Sequence, residues 1–320
     1  LMDTGGETGR LPFGEAALAL RPGVNLLDNW YFAGPVNQRG LAEYTGAGCT
    51  IDRFYSTGPL GVTVEPDGIK IYNPTEFTIY FIQKNEVKFF DGLVGRSMTI
   101  SALYICDNPA VNCYIGRASS GGYKTFFNTG RFSADGKIHL SSGTGLIPSV
   151  SNASNSETFG LEVPPGATVK LMAAKLELGP RQTLAHKEEE AWVLNDPPPN
   201  KTLELLKCQR YFLRLPGESS AYTLIGHGKT TSNNQLDLQI PISTVMRGRP
   251  SVRMTGSWVA IGAGMYEAFE AENMIVELSH AGTSEICIII RGFKNLIPNH
   301  VYTIQRNNDG SGNIDLSCEL

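Results

Sequence analysis

Asn25-Leu26-Leu27-Asp28-Asn29-Trp30-Tyr31-Phe32 and, nineteen residues on, Ile51-Asp52-Arg53-Phe54-Tyr55 decide how this chain is read. Leu26, Leu27, Trp30 and Phe32 supply large apolar groups. Asp28, Asn29, Gly34 and Pro35 interrupt any long helix. The combination predicts a strand pair opening a β-domain, with turn residues setting the direction of the chain. Asn37-Gln38-Arg39-Gly40 and the small-residue run Tyr44-Thr45-Gly46-Ala47-Gly48 lie between the two pieces.

Outward from that stretch the pattern continues. Val62 to Tyr72 reads as a hairpin around Pro66-Asp67-Gly68, with proline at the φ-fixed position and glycine where φ can be positive. Thr78 to Gln83 and Met98 to Cys106 alternate apolar and polar residues; Tyr123 to Phe127 and Lys137 to Leu140 are shorter strand candidates. Thr158 to Met172 again frames a turn, Pro164-Pro165-Gly166, by two strands. No sustained 3.6-residue period runs through residues 24–184, so a sandwich or barrel is expected. Composition agrees: 18% charged residues with 35 glycines favours short strands and turns over long solvated helices.

Asp196-Pro197-Pro198-Pro199-Asn200 is a stiff spacer and the boundary between domains. Asn200 or Thr202 then caps the one convincing helix, Leu203 to Phe212, whose apolar groups lie around much of its surface. A second β-domain follows. Leu236 to Ile242, Ser251 to Ser257 and Met274 to Leu278 alternate, Met246 to Pro250 is a turn, and Glu285 to Arg291 reads as a fully buried central strand. Tyr302 to Ile304 and Ile314 to Leu316 end the fold. The expected class is therefore all-β: two jelly-roll-like β-sandwich domains joined by a Pro-rich spacer and one short helix. The expected segments are a lead-in at 1–23 with a helical turn near Glu15 to Leu20, domains at 24–195 and 213–320, and spacer plus helix at 196–212.

Several chemistries find no support. A net charge of -4 gives no electrostatic reason for a nucleic-acid partner. No apolar run approaches the roughly 20 residues of a membrane helix, so membrane insertion is not expected. The first ten residues lack the basic-then-apolar plan of a signal peptide. Six scattered cysteines include no CxxC pair and the five histidines no HExxH, so no metal centre or cofactor is expected. Cys106 and Cys113 are spaced for either a hairpin disulfide or two free thiols. No Asp-x-Asp cluster marks a Ca²⁺ site. Ser119-Ser120-Gly121-Gly122 and Ser141-Ser142-Gly143-Thr144-Gly145 read as loops without a nucleophile elbow. Asp91, Asp135, Glu162, Glu267, Glu270 and Glu272 cannot be paired as glycosidase carboxylates, and Glu267 to Glu272 reads as a solvated loop. Asp52 and Arg53 are expected in a structural role near a strand end, and Trp30 and Trp192 as core or seam anchors. No catalytic residue is assigned.

Binding remains. Glycan recognition uses aromatic rings against apolar sugar faces and planar polar side chains on the hydroxyls. The second domain has such residues in apparent loops: Tyr222, His227, Asn233, Asn234, Trp258, Tyr266, Phe269, Asn307, Asn308 and Asp309. The selected glycan-contacting set is Trp258, Tyr266, Tyr222, Asn233, Asn234, Asn308 and Asp309, with Trp258 and Tyr266 as the leading pair; the alternative is that both rings belong to the core.

Four groups of residues resemble phage and prophage tail-fibre proteins. The opening stretch is similar to "NLLxNxxF…NQRG…DRW", with Phe54 in place of the tryptophan. Lys175-Leu176-Glu177-Leu178-Gly179, Gln182 to Glu188 and Trp192 to Asn195 are similar to the exit of the same jelly roll. Glu204 to Phe212 resembles the "ELxxCQRYY" linker, and Ile240 to Val252 a segment of fibre tips. The resemblance implies a virion tail protein made in the host bacterial cytoplasm, a homotrimer with the helix at its axis, other tail proteins as partners, and a tip that attaches to a host cell-surface glycan by multivalent non-covalent binding. A glycan-binding module of a secreted or surface bacterial protein, or a glycan depolymerase, are the alternative readings.

Overall fold

In the computed structural model, residues 23–85, 90–119, 122–149, 157–217 and 220–319 are described. The lead-in expected at Glu15 to Leu20 lies outside them. The chain divides into two units between Leu205 and Leu206, and the class is all-β, with antiparallel sheets throughout and one α-helix among the described residues.

The first unit is built from β1 (Glu43–Cys49), β2 (Tyr55–Glu65), β3 (Gly68–Tyr72), β4 (Ile79–Lys84), β5 (Ser97–Cys106), β6 (Asn112–Ser119), β7 (Gly122–Asn128), β8 (His139–Leu146), β9 (Glu157–Val163) and β10 (Thr168–Leu178). Their hydrogen-bonded order is β7-β6-β9-β4-β2-β3-β10-β5-β8, with β1 beside β2. The long β2 carries the sheet from one layer to the other. Its start, Tyr55 and Ser56, pairs with β4, whereas Gly61 to Glu65 pairs with β3. Phe54, Phe81, Leu161 and Cys113 from one layer meet Ile71, Ile100, Tyr104, Leu171 and Leu176 from the other in one core.

The first unit decides several of the expectations. Gly68 already belongs to β3 and has no positive φ; a Cβ there would lie 2.4 Å from the Leu171 carbonyl oxygen, so close backbone approach, not turn conformation, demands glycine. Pro164-Pro165-Gly166 is a turn framed by two strands, as expected, but those strands, β9 and β10, do not pair with each other. β9 pairs with β4 and β6, β10 with β3 and β5, so the turn passes between layers. Likewise Cys106 ends β5 and Cys113 lies in β6, which do not pair, and both are buried free thiols. Burial pushes the pKa of each thiol up and keeps both protonated. Ser141 to Gly145, read as a loop, is part of β8; Gly143 and Gly145 leave room for Asn128 and the Phe127 ring of β7.

The quoted opening residues work as a polar clamp. Asn29 donates its amide to the carbonyls of Val36 (2.9 Å) and Asp52 (2.8 Å) and accepts from Val36 N. The fully buried Asp52 accepts from Gln38 (2.7 Å) and pairs with Arg39 (3.4 Å). Arg53, at φ 72°, pairs with Asp28 and donates to the Lys84 carbonyl. Asp52 and Arg53 are structural, as expected. Helix α1 (Lys201–Gln209) is capped by Asn200, whose Oδ1 accepts from the backbone of Thr202 and Leu203, and its Glu204 is buried with a bond from Asn29 N. The helix stops three residues short of the expected Phe212, which starts a strand, while β11 (Ala185–Glu188) and β12 (Ala191–Leu194) form the hairpin before the spacer.

The second unit comprises β13 (Phe212–Leu215), β14 (Leu224–Ser232), β15 (Gln235–Pro241), β16 (Ser251–Thr255), β17 (Ser257–Gly262), β18 (Met265–Glu270), β19 (Ile275–Ala281), β20 (Glu285–Arg291), β21 (Val301–Arg306) and β22 (Asn313–Ser317). A seven-stranded sheet, β18-β17-β21-β14-β15-β20-β19, packs on a three-stranded one, β13-β22-β16. Leu213, Met254, Ile314 and Leu316 meet Leu236, Leu238, Trp258, Ile288, Tyr302 and Ile304 between them. The centre of the large sheet is β14. β20, expected as its fully buried centre, lies next to the edge with Ile289 and Arg291 part-exposed. Glu267 to Glu270 of the acidic run, expected as a loop, lie in β18.

Candidate functional site

The face of the seven-stranded sheet that turns away from the core follows from register, because directly opposed residues share a face. One row crosses five strands: Tyr266 on β18 opposes Ile261 on β17, which opposes Thr303 on β21, then His227 on β14, then Gln239 on β15. Tyr266 is 61% exposed and Ile261 36% exposed, and His227 and Gln239 are exposed as well. His227 Nδ1 lies 3.2 Å from the Thr303 hydroxyl, and no bond to its Nε2 occurs among the described residues. Neighbouring rows add Gln305 and Leu224 on one side, and Val301, Lys229 and Asp237 on the other.

Tyr266 does not point straight out. Its hydroxyl donates to Asn307 Oδ1 at 3.4 Å. Asn307 stands beside Ser257, to which it donates through Nδ2 (2.9 Å), so the Tyr266 ring must cross the row holding Val259. Val259 is fully buried although it is on the outer face. The turn that carries Asn307 is fixed from the core side. Arg306 donates to the Gly312 carbonyl (2.5 Å) and to Asn313 Oδ1 (2.9 Å). Asn308 N bonds Asn307 Oδ1, and Asp309 accepts from the backbone and hydroxyl of Ser311. Those two bonds hold the Asp309 carboxyl below its usual range.

The structure sorts the expected residues into four places. Tyr266, Asn307, Asn308 and Asp309 come together, and Tyr222, 55% exposed with φ 58°, lies at the same end of the sheet, where Thr223 accepts from Arg306 N. Asn233 and Asn234 lie in the β14–β15 turn, at the other end of a nine-residue strand, and cannot share a small ligand with Tyr222. Trp258 is a correction. Its ring is fully buried, its Nε1 donates to the Thr255 carbonyl (2.9 Å), and Gly312 packs against it, so it belongs to the core and can stack on no ligand. Phe269 is core-facing too, edge-on to Phe293 at 4.9 Å. Thr303, Gln239, Gln305 and Ile261 were not singled out from sequence. Only the pairing register reveals them, since each sits in an ordinary alternating strand.

No group of three or more His, Cys, Asp or Glu placed to hold a metal ion occurs among the described residues. No family model and no curated protein matches the chain. Among solved structures it is similar to a provisionally assigned sugar-binding protein of Bacteroides thetaiotaomicron VPI-5482 (TM-score 0.33, 14% identity, 49% of this chain and 100% of that one). It is also similar to the tandem CBM22-1–CBM22-2 domains of Paenibacillus barcinonensis Xyn10C (TM-score 0.30, 9% identity, 92% and 99%). A third is the N-terminal cellulose-binding domain of Cellulomonas fimi β-1,4-glucanase C (TM-score 0.27, 9% identity, 38% and 85%). Likenesses this distant carry no inference about what this chain binds.

Proposed function

We propose that this chain is a phage or prophage tail-fibre receptor-binding protein that attaches the virion to a host cell-surface glycan without breaking a bond. The observation that carries the binding part is the Tyr266–Ile261–Thr303–His227–Gln239 row. It offers an aromatic ring and an isobutyl-sized apolar surface next to three side chains able to donate and accept hydrogen bonds, the composition a pyranose requires. The tail-fibre part is supported by the sequence resemblance at both domains and their linker.

A flat, open row of this kind makes a weak single site. Three copies engaging a repetitive surface raise avidity by about 10²–10⁴-fold when geometry permits. Helix α1 supports the trimer: Leu203 is 61% and Leu206 41% exposed, an apolar pair at i, i+3 that a second and third copy would cover. Other tail proteins would hold the N-terminal end. Immunogold labelling of tail particles separates this reading from a secreted glycan-binding module, since only the first places the protein on virions. Release of reducing sugar from host polysaccharide would contradict attachment without reaction.

A further inference from the structure

The row that begins at Tyr266 does not stop at Gln239. Gln239 on β15 opposes Cys287 on β20, and Cys287 opposes His280 on β19, so one register line crosses all seven strands from edge to edge. A β-bulge in β19 sets Ser279 and His280 together opposite Cys287. Cys287 is 7% exposed and its thiol is bonded by Ser279, so it forms a floor between two exposed side chains. Those two, Gln239 and His280, make no side-chain hydrogen bond or ion pair among the described residues, and their polar heads are open to solvent. No strand lies beyond β18 or β19 among the described residues, and Tyr266 and His280, at the two ends of the line, are both exposed.

Taking glycan attachment through this row as the premise, we infer that the ligand is an internal stretch of a long, linear polysaccharide lying across the strands, and that no chain end is recognised. Neighbouring strands are about 4.8 Å apart, so the six intervals from Tyr266 to His280 measure roughly 29 Å. An extended chain of hexopyranoses advances by a similar distance per sugar, which sets about one sugar on each strand. Hydrogen-bonding heads recur along that track at His227, Gln239 and His280, and a disaccharide held at Tyr266 does not span them. Sheet twist of about 20–25° per strand makes the line a shallow helical track. A chain follows such a track by rotating at each glycosidic link; a single rigid sugar covers only a part of it. Recognition of a terminal sugar uses a concave pocket that encloses it. A row that runs out at two edge strands instead lets the polymer continue past both ends.

The test is isothermal titration of the full chain with di-, tetra-, hexa- and octasaccharide fragments, cut from the surface polysaccharide of bacterial cells that the protein labels. Wild type, Tyr266→Ala and His280→Ala are compared. Three results together support the track. Affinity climbs by about a hundredfold from di- to hexasaccharide and then levels off; it is unchanged when the reducing end is converted to the alditol; and His280→Ala weakens the hexasaccharide about tenfold but not the disaccharide. Unchanged melting of His280→Ala assigns that loss to contact. Equal affinity for di- and hexasaccharide, loss of binding on reduction of the terminal sugar, or wild-type binding of every length by His280→Ala overturns the track. In each of those cases weaker binding by Tyr266→Ala leaves attachment through this face standing. If no fragment binds at millimolar concentration, the attachment reading falls and the track falls with it.

Discussion

The hydroxyl of Tyr266 meets the side-chain oxygen of Asn307 across a fully buried Val259, at 3.4 Å. One edge strand and the β21–β22 turn are thereby joined on the outer face of the sheet. The ring is laid down rather than projected, which offers its flat side to solvent and costs a ligand little ordering entropy.

Tyr266 and Trp258 separate binding from stability. Tyr266→Ala removes a ring that is mostly in solvent, so the melting temperature should move only slightly. Trp258→Ala empties the core beneath the same sheet and should destabilise the second unit by about 3–5 kcal/mol. Urea unfolding of both variants checks this; a large loss for Tyr266→Ala would place its ring among the packing residues.

Lys175 and Glu177, in the run that resembles a family motif, are buried on the outer side of β10. Lys175 pairs with Asp196 at 2.5 Å, and Glu177 accepts from Thr183 N at 2.6 Å, so they tie the segment after β10 to the sheet. Lys175→Ala should cost about 2–3 kcal/mol, below a wholly enclosed pair because Asp196 is half exposed. Lys175→Met with Glu177→Gln should lose less than the single change, measured by thermal unfolding.

How much of this could be read from the sequence depended on local pattern. The alternation of β15 and the Asn200 cap are visible because side-chain periodicity and a cap are local signals. β14 was not visible. Gly226 and Gly228 stand in it because a Cβ would lie 2.2 Å from the Gln239 carbonyl oxygen and 2.8 Å from that of Asp237, and glycine hides the strand that centres the sheet. The same holds for the exposed row proposed to bind. Tyr266 was named from sequence, but Thr303, His227 and Gln239 become neighbours only through pairings spanning up to seventy-six residues. Trp258 misled because the strand expected over Ser251 to Ser257 stops before it and leaves it in an apparent loop, whereas only Gly256 separates β16 from β17, in which Trp258 lies.

His186 gives a pH signature. Its bond to Glu188, and secondarily to Asn195 Oδ1, raises its pKa above the ordinary histidine range. A raised folded-state value means that any stabilisation of the β11–β12 hairpin is complete below about pH 6.5 and fades as pH rises through the folded pKa. NMR titration of the imidazole should show a midpoint above 6.5 that falls in Glu188→Gln; an unchanged midpoint would remove the interaction.

The helix leucines report on assembly. Light scattering should give three times 34.7 kDa for the wild type and a shift toward monomer for Leu203→Asp with Leu206→Asp. A wild-type monomer at micromolar concentration would leave α1 without its axial role.

Adhesion through the outer face of the second unit is tested most directly on a bacterial glycan array probed with wild type, Tyr266→Ala and His227→Ala. At least one host-surface glycan should be retained by the wild type and lose about tenfold or more affinity in each variant while their folding is intact. Equal retention of that glycan by all three proteins would contradict it.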